Sequence, residues 1–376
     1  MMELKKYKAG CYVNQGSHKS FSPQQINHSW IWSDAKINIL LEKANKCLGE
    51  LNAFSRFIPD IDLYIGMHIF KEAQSSSKIE GTKTEIDEVL MDKSFIAPEK
   101  REDWQEVQNY VKAMNHGIEK LGRMPLSSRL LREMHSILLD SVRGKHKSPG
   151  EYRKSQNWIG GSSIDEAIYV PPCHSEIGNL MNDMEKFIHN DKALVPHLIK
   201  IAIIHYQFET IHPFLDGNGR IGRLLITFYL VGVGLLDKPT LYISDYFERN
   251  RQAYYDSLSR VRQDNNISQW IEFFLEAMVK TSEKGVETFG KIQELKNKYE
   301  KEIVKFGRRS ENAHKLLNRL YSNPVITIQE TSEFLSLSVK ASSDLIKTMV
   351  ENNLLIELTG YKRNRIFVLH EYLMCF

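Results

Sequence analysis

Residues 212–223 of this chain read His-Pro-Phe-Leu-Asp-Gly-Asn-Gly-Arg-Ile-Gly-Arg, and a long apolar run follows at once over 224–236. The apolar run predicts a buried helix that begins near Gly219. The turn before it, Gly217-Asn218-Gly219, is flexible enough to point backbone N–H groups at an anion, at the positive end of that helix. The stretch therefore predicts a phosphate-binding turn at the start of a central helix.

Charged and titratable side chains surround this turn. Arg220 and Arg223 are three residues apart, which places both guanidinium groups near one face of the helix. Asp216 offers a hard oxygen ligand for a Mg²⁺ ion between phosphates, and His212 can take a proton near neutral pH. The plainer alternative is a sharp glycine turn with solvated arginines. The density of complementary groups favours a nucleotide site at which a phosphorus atom is attacked, and the missing Lys-Ser/Thr ending excludes a Walker loop.

The composition limits the class of protein. The chain has 376 residues, of which 42% are hydrophobic and 26% charged, which excludes a disordered chain and allows more than one domain. The net charge is only +3, so no whole-protein field supports binding to nucleic acid or membranes. The cysteines form no C-x-x-C pair, and the run over 224–236 is shorter than the roughly 20 residues that cross a bilayer. With no apolar stretch near the start, we expect a reduced, soluble, cytoplasmic protein without membrane contact.

Apolar periodicity predicts a mainly α-helical chain. Residues 1–30 are expected to be irregular. Trp158-Ile159 and Ile168-Tyr169-Val170 flank a Gly/Ser/Asp turn, which predicts a small β-hairpin in an otherwise helical protein. The predicted helices cover 37–51, 63–77, 85–91, 103–121, 127–141, 173–190, 194–210, 219–235, 246–262 and 267–305.

Beyond Gly307 the pattern changes. Short helices are predicted first and strand-like runs after them, which is the outline of a winged helix. These elements cover 310–322, 328–336, 338–353, 354–358 and 365–369. The predicted organisation is an N-terminal helical region over 1–100, a catalytic domain over 101–285, a linker helix over 286–307 and a winged-helix domain over 308–376.

The stretch 212–223 resembles the signature of the Fic family, His-Pro-Phe-x-Asp/Glu-Gly-Asn-Gly-Arg-x-x-Arg, with every fixed position filled. The helical core, the hairpin before the motif and the helices after it also resemble that family, over about residues 30–285. The resemblance implies a Fic-type helical core with a small β-hairpin flap. It also implies an enzyme that transfers AMP from MgATP to a Ser, Thr or Tyr hydroxyl of a target protein.

The resemblance implies a role for each motif residue. His212 is then the general base for the incoming hydroxyl, and Asp216 holds Mg²⁺ between the α- and β-phosphates. The N–H groups of residues 217–219 form an anion hole, while Arg220 and Arg223 bind the β- and γ-phosphates. Little covalent chemistry is asked of such a protein, so positioning and charge neutralisation dominate. The implied ATP-binding set is Glu80, His212, Asp216, Gly217, Asn218, Gly219, Arg220, Ile221, Gly222, Arg223 and Tyr254.

A second motif lies upstream. Residues 76–81, Ser-Ser-Lys-Ile-Glu-Gly, resemble the family's inhibitory motif, Ser/Thr-x-x-x-Glu-Gly/Asn, with Ser76, Glu80 and Gly81 at its fixed positions. The resemblance implies that Glu80 pairs with Arg223 and blocks the productive γ-phosphate position, because a carboxylate and a triphosphate compete for one guanidinium. Since the motif precedes the catalytic core, it resembles the class II arrangement with an N-terminal inhibitory helix. The alternative is an ordinary helix end at which Gly81 is the stop.

Two further regions gain a role from the resemblance. The flap segment presents an exposed strand edge that aligns a target by main-chain pairing. Its residues are Ala167, Ile168, Tyr169 and Val170. Tyr254 falls where relatives place an aromatic ring near the nucleotide base; a packing hairpin and an aromatic helix face are the alternatives. His205 is interpreted as a core histidine rather than a metal ligand, because no third ligand is suitably spaced.

The leading hypothesis is an adenylyltransferase held back by Glu80. The alternatives are removal of AMP, transfer of UMP, phosphate or another phosphate-linked group, and a nucleotide-sensing winged-helix transcriptional regulator. The basic cluster 362–365 and the helix over 338–347 suit phosphate and major-groove contacts. The same fold also serves protein contacts, so the sequence leaves DNA binding open. The target protein, self-modification and homodimer formation are left open as well.

Overall fold

A computed structural model of the chain describes residues 2–58, 61–140, 145–360 and 364–376. The architecture is mainly α-helical. The helices are α1 (Ala35–Phe57), α2 (Asp62–Ile79), α3 (Ile86–Leu90), α4 (Arg101–Leu121), α5 (Ser128–Leu138), α6 (Ile177–Ile188), α7 (His197–Ile211), α8 (Asn218–Gly232), α9 (Ile243–Arg249), α10 (Arg251–Asp264), α11 (Ile267–Val304), α12 (Ser310–Ser322), α13 (Ile328–Leu335), α14 (Val339–Glu351) and α15 (His370–Leu373). The strands are β1 (Met2–Glu3), β2 (Gly10–Asn14), β3 (Lys19–Pro23), β4 (Trp30–Ile31), β5 (Val325–Thr327), β6 (Ile356–Glu357) and β7 (Ile366–Val368). Within the described ranges, no helix is both long enough and apolar enough to span a membrane.

Helices α7 and α8 form the centre of the core. Both are apolar on more than one face, and a helix that is apolar all round is buried on all sides. Every residue from Leu198 to Ile211 is buried, and α7 packs against α6, α8 and α11. The loop between α7 and α8 carries the first part of the motif, residues 212–217, and is therefore held at both ends by buried helices.

Helix α11 is a single long helix that runs from Ile267 to Val304 and packs along α1. The helices approach closely where Gly285 faces the side chain of Leu51. The predicted linker helix over 286–307 is the second half of this helix. The predicted boundary at residue 285 therefore falls inside one continuous element.

Several helix predictions agree closely with the structure, and one is wrong. Helix α12 has the predicted bounds, and α11 ends one residue before its predicted end. The predicted helix over 246–262 is two helices, α9 and α10, which meet at Asn250. Asn250 has φ −113° and ψ 34°, a conformation outside the helical region, and the apolar pattern gave no sign of that break.

The expectation of an irregular N-terminus is also wrong. Strands β2 and β3 pair antiparallel from Gly10–Pro23 to Asn14–Lys19, and β1 pairs with β4 in parallel. The backbone N–H of Ala9 donates to the side-chain oxygen of Asn265 at 2.8 Å, which ties the hairpin to the end of α10. These strands are short, and residues that favour turns, among them Gly10, Gly16 and Pro23, hide the alternation that would predict them.

The predicted flap hairpin is reduced to a single bridge. Ile159 and Tyr169 form an isolated antiparallel bridge, and no regular strand forms on either side of it among residues 145–172. Gly160 and Gly161 both have φ +72°, and a short 3₁₀ turn over Ile164–Glu166 curls the intervening chain. The carbonyl of Val170 accepts from Phe21 N–H at 2.9 Å, so this segment continues into the N-terminal hairpin instead of extending its own.

The C-terminal segment contains helices and a small sheet. Its elements run α12, β5, α13, α14, β6 and β7, with sheet order β5-β7-β6. Strand β5 was not predicted. The segment packs on α2, where the rings of Tyr64 and Tyr321 are 5.1 Å apart and Gly66 faces the Ser322 carbonyl. Of the predicted basic cluster, Lys362 and Arg363 lie outside the described residues.

Helix α4 lies against α8 at a glycine, and this contact gives a prediction for stability. A methyl group at Gly117 would overlap the buried ring of Phe228, so we expect Gly117→Ala to lower the free energy of unfolding by about 1–3 kcal/mol. Gly290 in α11 has nothing within 4 Å of the corresponding position, so Gly290→Ala should be neutral or stabilising by up to about 1 kcal/mol. Urea denaturation of both variants checks this. Equal effects would show that the α4–α8 contact is not tight.

Candidate active site between helices α7 and α8

His212 ends helix α7 in a left-handed conformation. Its φ is 50° and ψ 60°, and its N–H donates to the Phe208 carbonyl at 2.9 Å. A residue with a Cβ atom adopts this region only when its surroundings impose it. The turn aims the chain away from α7, so the imidazole stands at the junction between α7 and the loop to α8.

The surroundings that impose the turn centre on Arg153, whose side chain is 2% exposed. Its guanidinium donates to backbone carbonyls, including those of His212 at 3.0 Å, Ser155 at 3.1 Å and Pro172 at 2.5 Å. Burial lowers the pKa of Arg153 to about 10, so the group is still protonated at neutral pH. Arg153 was not predicted, because it lies far from the motif in sequence and belongs to no recognisable pattern.

The loop from Phe214 to Asn218 is closed by its own side chains. The amide group of Asn218 accepts from Phe214 N–H at 2.8 Å and donates to the Phe214 carbonyl at 2.9 Å. His135 stacks on the Phe214 ring with centroids 3.8 Å apart and contacts the Asp216 carbonyl through Nε2 at 2.9 Å. Because Nδ1 of His135 accepts from Gly150 N–H, Nε2 carries the proton and donates. His135 was also missed by the sequence analysis.

Helix α8 begins directly after this loop. Gly217 is the residue before the helix, with φ 76°, and its N–H donates to the Asp216 carboxylate at 2.6 Å. No side chain caps the helix among the described residues, so the first N–H groups, at Asn218 and Gly219, keep the partial positive charge of a helix start. An added methyl at Gly219 would overlap a carboxylate oxygen of Glu80. The Glu80 carboxylate therefore lies against the start of α8, where the sequence predicts an anion.

Arg223 joins α8 to the end of α2. It is 1% exposed, and its Nη2 lies 2.6 Å from the Glu80 carboxylate. Nε donates to the Ser76 hydroxyl at 2.8 Å and Nη2 also donates to the Ser76 carbonyl at 2.9 Å. The Glu80 side chain is 35% exposed. Its partial burial acts to raise its pKa, but the Arg223 charge lowers that pKa overall. The predicted pairing of Glu80 with Arg223 is present, and Ser76 takes part in it.

Arg220 turns to other acidic groups. Its Nη1 donates to Glu106 at 2.9 Å, and Nη2 lies 3.6 Å from the Asp216 carboxylate. Glu106 was not predicted. The Asp216 side chain is 46% exposed, so its carboxylate faces accessible space beside the start of α8.

The His212 imidazole is suited to accept a proton. Burial, together with the Arg153 charge, lowers the pKa of His212 to about 4. The ring is therefore neutral at physiological pH. Its Nδ1 is buried without a hydrogen-bond partner in the described part of the chain.

Other predicted residues lie in the core next to the site. The His205 ring contacts the Gly222 carbonyl through Nδ1 and the Tyr254 hydroxyl through Nε2, both at 2.9 Å, which confirms His205 as a satisfied core histidine. Tyr254 and Ile221 are buried in the core. Gly81 follows α2 with φ +104°, which fits its predicted role as a helix stop.

The flap segment has one exposed and two buried members. Ile168 is 78% exposed, whereas Tyr169 and Val170 are buried. Tyr169 donates its hydroxyl to the Thr210 carbonyl at 2.6 Å, close to the end of α7, and Arg262 lies over its ring at 4.1 Å. The segment is thereby anchored to the helix that carries His212, with Ala167 and Ile168 at its outer edge.

The donor set around Asp216 fits a magnesium ion that is shared with phosphates. No group of three or more His, Cys, Asp or Glu side chains that could hold a metal exists in the described ranges. Magnesium is commonly held by one or two carboxylates together with substrate phosphates. The half-exposed Asp216 carboxylate fits that pattern. The described residues form no cage that would hold a magnesium ion by itself.

The buried histidines give a prediction for pH dependence. Burial lowers the pKa of His68 and His135 to about 4 and that of His205 to about 3. An unfolded histidine takes up its proton near pH 6.5, so the unfolded state binds more protons between pH 6.5 and 4. We expect stability to be highest above pH 6.5 and to fall as the pH drops, by up to about 1.4 kcal/mol per pH unit for each such histidine.

His68 provides the variant that tests this. Its ring stacks on Phe289 at 4.5 Å, so phenylalanine suits the same space. His68→Phe should reduce the slope of unfolding free energy against pH, measured by urea denaturation at pH 7, 6 and 5. The exposed His174 provides a control, His174→Phe, that should keep the slope of the parent. An unchanged slope in His68→Phe would contradict the assignment.

The site thus combines, within a helical domain, the uncapped start of α8, a neutral histidine and a carboxylate paired with the second arginine of the motif. Residues 125–230 match the Fic/DOC family, and residues 39–119 match the Fic/DOC family N-terminal region. The chain therefore contains a Fic/DOC domain, preceded by the N-terminal region of that family.

Curated relatives of this region include adenylyltransferases. The chain is 34% identical over 133 residues to "Protein adenylyltransferase Fic" of Aedes aegypti, which covers 35% of this chain and 24% of that protein. It is 30% identical over 155 residues to the protein of the same name from Culex quinquefasciatus, covering 40% of this chain and 27% of that protein. The chain thus matches about a quarter of the length of these relatives.

Solved structures share the fold. A Fic family protein from Desulfovibrio desulfuricans G20 has a TM-score of 0.57 at 18% identity, covering 92% of this chain and 98% of that one. Fic-1 (residues 134–508) from C. elegans has a TM-score of 0.51 at 19% identity, covering 70% of this chain and 74% of that one. At such identities the likeness shows the fold alone.

Proposed function

We propose that this chain transfers AMP from MgATP to a hydroxyl side chain of a target protein and is held back by Glu80. The main support for the proposal is the position of the Glu80 carboxylate, which lies between the start of α8 and Arg223. A negative group already occupies the position that motif 212–223 predicts for a phosphate. Relatives of the Fic/DOC region are named protein adenylyltransferases.

His212 acts as the general base in this proposal. Its imidazole is neutral at physiological pH because burial lowers its pKa to about 4, and Arg153 fixes the backbone that presents it. The hydroxyl of the target loses its proton to this ring as its oxygen attacks the α-phosphorus. The bond from that phosphorus to the β-phosphate oxygen breaks, so that pyrophosphate leaves. A base in this role contributes a factor of about 10²–10⁴ to the rate.

The rest of the motif binds the leaving phosphates. The N–H groups at the start of α8 and the guanidinium groups of Arg220 and Arg223 supply positive charge before the reaction begins. Asp216 would hold a magnesium ion, which neutralises phosphate charge when it is bound. Asn218 contributes rigidity, since its side chain is fully used in closing the loop.

Inhibition follows from competition for Arg223. Glu80 and Ser76 take every hydrogen bond described for the Arg223 guanidinium, so a triphosphate must displace Glu80 to reach it. A charge-assisted pair of this kind is worth about 1.5–3 kcal/mol. Release of the C-terminal end of α2 would then expose Arg223 and the start of α8 together.

Target recognition is assigned to the flap. The backbone at Ala167 and Ile168 is the outermost part of a segment that is anchored to α7 by Tyr169. Pairing of an extended target segment with this edge would bring a hydroxyl towards His212. We further propose that residues 308–376 form a winged helix for target or DNA recognition; the order helix, strand, helix, helix, strand, strand supports this.

Mass spectrometry of the Glu80→Gly chain tests the chemistry. The protein is incubated with magnesium, an equimolar mixture of nucleoside triphosphates and cell lysate, and the mass added to any hydroxyl side chain is measured. We expect AMP on the chain itself or on a lysate protein, and none in a Glu80→Gly/His212→Ala control. A mass increase that corresponds to UMP or phosphate would identify that group, instead of AMP, as the one transferred. If the chain instead releases AMP from a protein that was labelled with AMP beforehand, its activity is removal of AMP.

A nucleotide-sensing regulator remains the competing class. It predicts that ATP alters binding of the full chain to DNA, and that this effect survives His212→Ala. A filter-binding assay with random duplex DNA, with and without ATP, separates the two classes. ATP-dependent DNA binding without any protein modification would reject the transferase.

A further inference from the structure

Glu209 is a buried carboxylate to which no role has been assigned. It lies in α7, one turn before His212, and is 9% exposed. Its Oε1 is buried and receives no hydrogen bond from the described residues. A buried acceptor without a donor costs about 1–3 kcal/mol, so an uncompensated carboxylate in the core requires an explanation.

The position of Glu209 is tightly defined by its neighbour on α8. A methyl group at Gly222 would overlap Oε1 of Glu209 and come within 3.2 Å of its carboxyl carbon. Only a glycine leaves this space, so the carboxylate lies directly against the backbone of α8 beside Arg223. The same glycine bonds through its carbonyl to His205, which fixes this part of α8 against α7.

The charged groups that face Glu209 come from three other helices. They are Arg223 on α8, Glu80 at the end of α2, and Arg262 on α10; the Tyr254 hydroxyl on α10 also lies close enough to interact. Burial raises the pKa of Glu209 to about 7, while Arg223 acts to lower it and Glu80 to raise it. Two carboxylates thus share the neighbourhood of one guanidinium, but only Glu80 is hydrogen-bonded to it.

Arg223 depends entirely on α2 for its described hydrogen bonds, which go to Ser76 and Glu80. When the end of α2 moves away, a fully buried guanidinium is left without those acceptors. The unpaired Oε1 of Glu209 is an acceptor on a different helix, α7, which does not need to move.

We propose that Glu209 is a positioning residue. Once Glu80 has left, Glu209 accepts a hydrogen bond from Arg223 and holds the guanidinium in place for the end of the triphosphate. The proposal rests on the proposed function for the identity of the ligand. The exchange of one carboxylate for the other does not depend on any ligand and is tested without one.

The first test measures unfolding of four full-length chains: the parent, Glu80→Gly, Glu209→Gln and the double variant. If Glu209 takes over Arg223, Glu209→Gln lowers Tm by about 2 °C more in the Glu80→Gly background than in the parent. A residue with a merely structural role gives the same shift in both backgrounds, and that additive result would overturn the proposal. Glu209→Met, which cannot accept a hydrogen bond from Arg223, should show the same coupling more strongly.

The second test titrates ATP and AMP, each with magnesium, into the Glu80→Gly chain with and without Glu209→Gln. ATP should bind about fivefold to tenfold more weakly to the double variant, because a charge-assisted orienting bond is lost. AMP, which lacks the phosphates assigned to Arg223, should bind equally to both. Equal loss for ATP and AMP would contradict a role through Arg223. If the Tm shifts are non-additive but ATP does not bind, the exchange of Glu80 for Glu209 at Arg223 is supported and the proposed function is rejected.

Discussion

Glu80→Gly is expected to raise labelling by α-³²P-ATP, of the chain itself or of partner proteins, by about 10- to 100-fold. The factor corresponds to the 1.5–3 kcal/mol of a charge-assisted pair, since Glu80 lies 2.6 Å from Arg223 and against Gly219. Glycine removes the competing carboxylate from both the arginine and the helix start. Initial rates of label incorporation, at equal protein and ATP concentrations, measure the change.

The matched control is Lys78→Ala. Lys78 lies near the same end of α2 and is exposed, as Glu80 is, but it pairs with Glu248 at 3.4 Å, away from Arg223. This variant should label at the rate of the parent. Equal labelling by the parent and Glu80→Gly would reject inhibition by Glu80, and activation by Lys78→Ala would attribute the effect to loosening of the helix end.

His212→Ala in the Glu80→Gly background is expected to lower labelling by about 10²–10⁴-fold, the contribution of a general base. The affinity for ATP should change little, because the phosphate-binding groups lie on α8. Label incorporation and ATP titration of the same protein separate the two effects. The exposed His174 provides the control His174→Ala, which should label at the rate of Glu80→Gly alone.

The same background tests the protonation state of His212. Its pKa is lowered to about 4 by burial and by the Arg153 charge. The base is therefore available above that pH and is lost as the pH falls through about 4. The labelling rate should therefore show no acid limb near pH 6.5 when it is measured down to the lowest pH at which the protein stays folded. An acid limb near pH 6.5 would indicate a solvated imidazole.

Much of the helical core and of the candidate site could be predicted from the sequence because both depend on local order. The helix at 267–305 and the turn at 217–219 follow from apolar spacing and glycine placement within a few residues. The inhibitory motif lies at the end of a predicted helix, and its Glu80 reaches Arg223. The expectation of an irregular N-terminus was wrong, since β2 and β3 pair there. The flap hairpin is present only as the Ile159–Tyr169 bridge, because Val170 bonds to Phe21, a residue far away in the chain.

The sequence alone determined which groups meet at the motif: a histidine at a helix end, a glycine turn and two arginines on one helix face, because a twelve-residue segment carries all of them. The pairing of Arg220 with Glu106 came from the folded structure alone, which also added Arg153, His135 and Glu209 to the site. Arg153 and His135 lie far from the motif in sequence, and burial in a shared core brings them to it. Glu209 lies on α7 itself, but only the packing of α8 against α7 places its carboxylate near Arg223. Their charges and hydrogen bonds depend on that burial, which no local pattern encodes.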